Sequence, residues 1–450
     1  MRGVKSTIAL AVVLAGLGAY IYFVTWKQAP DSGAATKLEK VFPSLDGTKI
    51  VDINVKSESG ETTVLKKDQA AAWQITAPVA ATADGAEVSG ITSNLATLEV
   101  SRVVDENPTD LKDYGLANPR IEIDFKAADE KDFRKLLVGE KSPTGAQLFA
   151  KRNDEKRVFL IPAFQETTFN RSTFELRDKT VVKFERDKLS GIDVVADGKT
   201  LRLNKEGSDW KIAEPVRAKA DYASVEGLAG RLQSAQMKSI AANEPSGADL
   251  KKYGLDKPAV TVTLKVDSQQ ATLVIGAKAA ENTVYARDLA RPAVVTVDSA
   301  LADELKKGAD DYRRKDLFEL RADNTNHIEI TRNGQSMVFD MTKGTGENAQ
   351  NKWRRTSPNP ADTDREKTEA FLSKLSSLRA TSFTSSTAKT GLDNPVMTVR
   401  GKFADTKEEG VTFGKVGDEV YAARPGEPGA AKIAANDFNE MIKTLDEVAK

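Results

Sequence analysis

The sequence lacks cysteine entirely and contains a single histidine, His327. Without thiols the chain can form neither disulfides nor thiolate metal sites. With one imidazole it cannot assemble a histidine-rich metal site, and a serine–histidine–aspartate triad would have only one candidate base. His327 lies at the start of a predicted strand, which indicates a surface residue. We therefore predict no catalytic, cofactor-binding or metal-binding residue.

The chain also lacks an excess of either charge, because Lys plus Arg and Asp plus Glu each number 66. Nucleic-acid binding usually requires a basic excess or a basic face, so no nucleic-acid partner is predicted. Charged residues make up 29% and hydrophobic residues 40% of the sequence, which is typical of globular proteins. At 450 residues the chain is long enough for about three domains.

One long hydrophobic run is present, and it lies at the N-terminus. No charged residue occurs from Thr7 to Trp26, and a helix of that length spans roughly 30 Å, the thickness of the bilayer hydrocarbon. Arg2 and Lys5 precede the run, which favours a cytoplasmic N-terminus and an exported remainder. We predict a single-pass transmembrane signal anchor over residues 1–26 and a linker over 27–40. A cleaved signal peptide is the alternative.

A pattern of tryptophan, proline and aspartate occurs three times along the chain. In each copy the proline follows the tryptophan by five residues and the aspartate follows it by eleven. The copies are Trp73, Pro78 and Asp84; Trp210, Pro215 and Asp221; and Trp353, Pro358 and Asp364. Landmarks that recur in the same order indicate a tandem repeat.

A second landmark, Gly-Leu-x-x-Pro, follows in each copy and begins at Gly115, Gly254 and Gly391. The first two copies read "DLKDYGLANP" and "DLKKYGLDKP", while the third keeps only the Gly-Leu-x-x-Pro pattern. The glycine suits a left-handed turn, and the proline suits the start of the next strand.

The residue types in each copy predict local structure. Short alternating runs before each tryptophan indicate half-buried strands, so the tryptophan is expected to end a strand within the core. The proline cannot donate to a strand ladder, and the aspartate is a good helix N-cap. We predict an α+β fold: an N-terminal transmembrane helix, then three tandem modules of mainly antiparallel strands with two helices each. The predicted modules cover residues 41–184, 185–319 and 320–450.

The repeated residues have either a structural or a functional interpretation. Three equivalent aspartates would form repeated acidic sites, catalytic or metal-binding, only with a second acid, base or metal nearby. No such partner recurs at a fixed offset, so we interpret the tryptophans, prolines, aspartates and glycines as scaffold. Arginine suits recognition of carboxylate or phosphate. The best candidates for a repeated binding contact are three arginines that end similar strands: Arg152, Arg287 and Arg424.

The layout resembles a family of bacterial membrane-anchored proteins known as domain of unknown function 4340. The resemblance rests on the N-terminal run, the Trp-x-Ile-x-x-Pro pattern before each helix, and the Tyr-Gly-Leu-x-x-Pro turn. The third copy differs, with "WRRTSP" and with Thr390 in place of tyrosine. The resemblance implies an extracytoplasmic accessory subunit of an ABC transport system, with transporter subunits as partners. It supplies no functional residues.

The sequence is compatible with three functions. The first is a non-enzymatic accessory or binding protein at the bacterial inner membrane, with the bulk of the chain in the periplasm. The second is a cell-envelope enzyme acting on glycan or lipid, which requires two acids in one cleft or His327 beside a nucleophile. The third is a passive spacer between envelope layers.

Overall fold

The computed structural model describes residues 20, 38–342, 352–385, 388–404 and 406–450. The predicted anchor at residues 1–26 lies outside the described residues except for Tyr20, and the predicted linker at 27–40 is described only from Leu38. Among the residues that are described, no helix is both long enough and apolar enough to cross a membrane.

Three antiparallel sheets of nine strands each form the body of the protein. In the first module the strands are β1 (Ile50–Lys56), β2 (Thr62–Lys67), β3 (Trp73–Ala77), β4 (Ala81–Thr82), β5 (Arg102–Asp105), β6 (Ile121–Ala127), β7 (Arg134–Lys141), β8 (Gln147–Arg152) and β9 (Val158–Pro162). Its helices are α1 (Gly85–Thr97), α2 (Gln165–Phe169) and α3 (Thr173–Leu176).

The second module has the same order of strands as the first, with an additional short helix before its sixth strand. Its strands are β10 (Leu189–Ala196), β11 (Lys199–Glu206), β12 (Asp209–Glu214), β13 (Ala218–Lys219), β14 (Ser239–Ala242), β15 (Val260–Val266), β16 (Gln269–Ala280), β17 (Thr283–Asp288) and β18 (Val294–Asp298). Its helices are α4 (Tyr222–Ser234), α5 (Gly247–Lys252), α6 (Ser299–Leu305) and α7 (Ala309–Tyr312).

The third module ends in one long helix instead of several short ones. Its strands are β19 (Thr325–Arg332), β20 (Gln335–Thr342), β21 (Lys352–Ser357), β22 (Ala361–Asp362), β23 (Ala380–Phe383), β24 (Met397–Phe403), β25 (Lys407–Val416), β26 (Glu419–Ala423) and β27 (Ala431–Ile433). Its described helices are α8 (Arg365–Ser376) and α9 (Ala435–Ala449).

The strand order is the same in all three sheets, which confirms the tandem repeat. In the first sheet it is β4-β3-β2-β1-β6-β7-β8-β9-β5. The chain runs outward from β1 to β4, crosses the sheet through α1 and β5, and returns to pair β6 with β1. Every pairing is antiparallel, so one face of each sheet can pack against the helices while the other face carries polar side chains.

The predicted α+β class with two helices per module is wrong. The structure is mostly antiparallel β-sheet with few helices. The number of strands could not be predicted from alternation alone, because many strands have one polar face, as in β2, where only Val64 and Leu65 are apolar. The helical patterns at the ends of the first two modules correspond to short helices of four to seven residues.

The core of each module lies between the sheet and its principal helix. In the first module α1 buries Val88, Ile91 and Leu95 against strand residues such as Ile53 and Phe125. The third module repeats this arrangement with Phe371, Leu372 and Leu375 of α8. The helix therefore covers the apolar face that the alternating strand residues create.

The chain divides into two compact units, residues 1–178 and residues 179–450. The first unit contains the first nine-stranded sheet, and the second unit contains the other two. The second and third modules, and the junction between them, therefore lie in one compact unit.

Candidate functional site

The three repeated aspartates lie at helix N-termini. The Asp84 carboxylate accepts hydrogen bonds from the backbone N–H groups of Ala86 at 2.9 Å and Glu87 at 3.2 Å. Asp221 and Asp364 accept in the same way from the third residue after them, at 2.8 and 3.2 Å. Each carboxylate thus satisfies donors that the first helical turn leaves free.

The repeated tryptophans and prolines lie at the two ends of one strand. Trp73 begins β3, and Trp210 and Trp353 are the second residues of β12 and β21, so the prediction that the tryptophan ends a strand is wrong. All three indoles are buried. In each module the proline directly follows the last residue of the strand. The peptide bonds before Pro78, Pro215 and Pro358 are all cis.

The repeated glycine turns lie against a second set of glycines in the sheet. Gly115, Gly254 and Gly391 have φ angles of +66°, +68° and +69°, a left-handed conformation that glycine adopts at little cost. A Cβ atom on Gly276 would lie 2.2 Å from the carbonyl oxygen of Tyr253. Gly139 shows the same close approach to Tyr114. The turn therefore packs directly against the backbone of a glycine in the sheet, where a side chain would block the contact.

Two of the three candidate binding arginines hold the segment that enters their own module. Arg152 donates from Nη1 to the Val41 carbonyl oxygen at 2.8 Å, and Arg424 donates from Nε to the Leu317 carbonyl oxygen at 3.1 Å. Val41 and Leu317 occupy equivalent places at the entrance to the first and third modules. We call this contact the entrance clamp.

In the second module a different arginine makes the entrance clamp. Arg291 donates from Nη2 to the carbonyl oxygen of Thr180 at 2.9 Å and to that of Val181. Arg287, the predicted residue, instead donates from Nε to the Arg291 carbonyl oxygen at 3.3 Å. Arg291 lies four residues after Arg287, which is the residue that corresponds to Arg152 and Arg424 in the repeat. The repeat spacing therefore did not indicate Arg291.

The entrance clamp of the third module is deeply buried. Burial favours the neutral form and lowers the pKa of the Arg424 guanidinium, although Glu427 lies 3.4 Å from Nη1 and opposes that effect. Arg152 likewise has acidic partners, Asp154 at 2.9 Å and Glu155 at 3.3 Å. These contacts give both arginines internal partners, and a ligand role for Arg152, Arg287 and Arg424 stays a prediction.

Glu427 also joins the third module to the second. Its carboxylate accepts from Nη2 of Arg313 at 3.1 Å and from the backbone N–H of Lys219 at 3.3 Å. The side chains of Arg313 and Glu427 are 5% and 11% exposed, and the Arg313 guanidinium lies 4.2 Å from the centre of the Phe383 ring. A buried charge pair of this kind depends on both partners, since either one alone would be uncompensated.

A second carboxylate at the same junction, that of Glu319, lies close to several cationic side chains. The Nζ atom of Lys219 lies 2.7 Å from Glu319, which also pairs with Arg314, while Lys407 lies 3.9 Å away. Burial alone would favour the neutral acid, yet Lys219 and Arg314 hold the pKa of Glu319 down at about 2. The carboxylate is therefore ionised at every physiological pH.

An open cleft of about 470 Å³ lies beside these residues, between the second and third modules. Asp221 and the exposed Tyr222 form one wall, and the exposed Arg321 and Lys407 line the other side. The lining includes charged side chains of both signs. Such a cleft suits a charged peptide or protein surface more than an apolar small molecule.

His327 lies on a sheet face of the third module. Its Nδ1 is 2.6 Å from Oδ1 of Asp340, whose Oδ2 accepts a hydrogen bond from the Thr356 hydroxyl at 2.9 Å. The adjoining surface depression is lined by charged residues such as Glu329 and Arg400, and its described lining includes no serine, threonine or tyrosine. Within the described ranges, no group of three His, Asp or Glu side chains could hold a metal ion.

Comparison with known proteins places the chain in a family. The sequence matches the family described as Domain of unknown function (DUF4340) over residues 73–211, 210–395 and 353–450. The chain belongs to that family, and the three matched segments begin at the repeated tryptophans Trp73, Trp210 and Trp353. The family description assigns no activity.

Other comparisons give little beyond this. No curated protein matches the chain. Among solved structures, a DNA polymerase sliding clamp from Pseudomonas aeruginosa aligns with 7% identity over 88% of this chain and 94% of that chain. The TM-score of that alignment is 0.14, which is too low to support any argument about fold or function.

Proposed function

We propose that the chain is a non-enzymatic extracytoplasmic accessory or binding protein that works with an ABC-type transport system of the bacterial inner membrane. The proposal is supported chiefly by the charged cleft between the second and third modules, which offers a shaped, polar surface for a protein partner. The repeated residues that could have formed catalytic sites have structural partners instead, because Asp84, Asp221 and Asp364 cap helices.

A membrane pull-down with cross-linking in living cells tests this proposal. The full chain carries an affinity tag, and captured proteins are identified by mass spectrometry. We expect subunits of an ABC transporter to be enriched over a control with an unrelated exported protein. Capture of no transporter subunit would overturn the proposal.

The cleft is tested in the same assay with charge reversal. Arg321→Glu changes an exposed residue of the cleft, so the modules should stay folded while capture falls. Lys112→Glu is the matched control, because Lys112 is an exposed lysine of the first module and lies outside the cleft. Equal loss of capture in the control and the cleft variant would contradict a role for the cleft.

A further inference from the structure

The edge strand β13 of the second module is covered by the segment that leaves that module. Asp221 donates its backbone N–H to the Tyr312 carbonyl oxygen at 2.7 Å, and Arg314 donates to the Lys219 carbonyl oxygen at 2.9 Å. In the first module the edge strand β4 is covered in the same way, through Asp84 N–H to Leu176 O at 2.8 Å and Asp178 N–H to Thr82 O at 3.0 Å. This pairing therefore recurs wherever one module ends.

The equivalent edge of the third module is bare among the described residues. Asp364 and Asp362 occupy the places of Asp221 and Lys219, but the Asp364 N–H and the Asp362 carbonyl have no backbone partner in the described part of the chain. The side chains of both aspartates are exposed. An unpaired edge strand is a template for pairing with another chain.

The segment that enters the first module has the same attachment to its sheet as the segment that enters the third. The shared hydrogen bonds are Val41 N to Leu98 O at 2.8 Å and Val100 N to Glu39 O at 2.7 Å, matching Leu317 N to Leu378 O at 3.1 Å and Ala380 N to Lys315 O at 2.8 Å. By this register Leu38 occupies the place of Arg314. Its side chain is 48% exposed, and its N–H has no partner among the described residues.

A carboxylate of the first module also lacks the partner that its counterpart has. Glu155 follows Arg152 by three residues, as Glu427 follows Arg424. Glu427 accepts from the backbone N–H of Lys219 in the preceding module. In contrast, the Glu155 side chain is 20% exposed, and its Oε2 pairs with Nε of Arg157 at 2.9 Å. Its Oε1 is the buried atom, and it accepts no hydrogen bond from the described residues, although Nε of Arg152 lies 3.3 Å away. A buried polar atom without a partner is costly.

We propose that copies of this chain associate head to tail, with the β22 edge of one copy docked on the entrance of the first module of another. In this arrangement the Leu38 N–H donates to the Asp362 carbonyl, and the Glu155 carboxylate accepts from the Asp362 N–H. These two hydrogen bonds correspond to those that the Arg314 N–H donates to the Lys219 carbonyl and the Lys219 N–H donates to Glu427 at the junction of the second and third modules. The exposed Lys156 adds a cation opposite the acidic edge. The association does not depend on the proposed transport function.

The first test removes a single donor. Leu38→Pro eliminates the N–H that the interface uses while removing no internal hydrogen bond among the described residues, and Leu38→Ala keeps that N–H. Sedimentation of the full chain over a concentration series measures self-association. We expect Leu38→Pro to weaken it by about fivefold or more and Leu38→Ala to leave it nearly unchanged. Monomer at all concentrations, or equal association by both variants, would overturn the proposal.

The second test uses the absence of cysteine, which makes introduced thiols unambiguous. One copy carries Asp362→Cys and the other carries Lys156→Cys, and the two are mixed and oxidised. We expect a mixed disulfide dimer between them. The control pairs Asp362→Cys with Lys112→Cys, an exposed position near the turn at Gly115, and should cross-link far more slowly. Equal rates for both pairs would contradict the docking geometry.

Discussion

Single residues explain why the landmarks recur in every module. Each aspartate cap satisfies free N–H groups at the start of a helix, and each pair of glycines lets a turn approach a neighbouring strand more closely than a side chain would allow. Both roles depend on a backbone geometry that is the same in every module. Selection for that geometry is sufficient to preserve the spacing.

The aspartate caps can be tested by substitution. We expect Asp84→Ala to lower the free energy of unfolding by about 1 kcal/mol, because two N–H groups of α1 lose their acceptor. Asn accepts hydrogen bonds at an N-cap almost as well, so Asp84→Asn serves as the control. Urea denaturation followed by tryptophan fluorescence measures the difference. Equal destabilisation by both variants would show that the carboxylate acts other than as a cap.

The paired glycines give a second prediction at this scale. Gly276→Ala would place its Cβ 2.2 Å from the Tyr253 carbonyl oxygen, so the turn must move and the module should lose about 2 kcal/mol. Gly227→Ala is the matched control, because no atom lies within 4 Å of its Cβ position on α4. The control should be neutral or stabilising, since alanine favours helix. The melting temperatures of the two variants test this prediction.

Elements meet at the junction of the second and third modules, where one glutamate contacts three partners. Glu427 reaches the Arg313 guanidinium and the Lys219 backbone N–H in addition to Arg424. Arg313 belongs to the segment between the two modules, so the carboxylate ties that segment to both. The modules of the second unit are therefore held by buried charge as well as by strand pairing.

This junction can be tested by removing its carboxylate. Glu427→Ala leaves Arg313 buried without its acid, which should cost about 3 kcal/mol. Glu408→Ala removes an exposed partner of Lys402 and should cost far less. Limited proteolysis near residues 313–321, together with thermal unfolding, distinguishes opening of the junction from loss of the whole fold. An unchanged cleavage rate in Glu427→Ala would contradict the proposed role.

Glu319 makes the stability of the second unit depend on pH. Its pKa is lowered to about 2 by Lys219 and Arg314, below the ordinary value of 4.5 for the unfolded chain. Its stabilising contribution is therefore complete above pH 4.5 and is lost as the pH falls toward 2. Glu319→Gln should be less stable than the parent at pH 7, and the difference should disappear near pH 2. A constant difference across that range would contradict this assignment.

The whole molecule consists of two compact units, of which the second holds two modules. A unit with its own core and internal junction should fold without the rest of the chain. We expect a fragment of residues 179–450 to unfold cooperatively with β-rich circular dichroism. A fragment of residues 179–319 alone should be less stable, because it loses the contacts of Arg313 and Lys219 with Glu427. Equal stability of both fragments would contradict a coupled pair.

Local patterns in the sequence were sufficient for some of these features. The fixed spacing of Trp210, Pro215 and Asp221 and its two copies predicted the tandem repeat, and the family comparison confirmed the resemblance. The nine strands of each sheet could not be predicted from alternation alone, because strands such as β2 contain only two apolar residues. The entrance clamp could not be predicted from the repeat, because in the second module Arg291 makes the contact and the predicted Arg287 does not.

The sequence by itself determined the number of modules and the residues that begin their helices, because both depend on neighbours a few positions apart. Only the tertiary structure decided the strand order, the entrance clamp and the Arg313–Glu427 pair, whose residues are 114 positions apart. A contact across that distance leaves no periodic signal in the chain. It forms because the sheet brings together groups whose burial requires a partner.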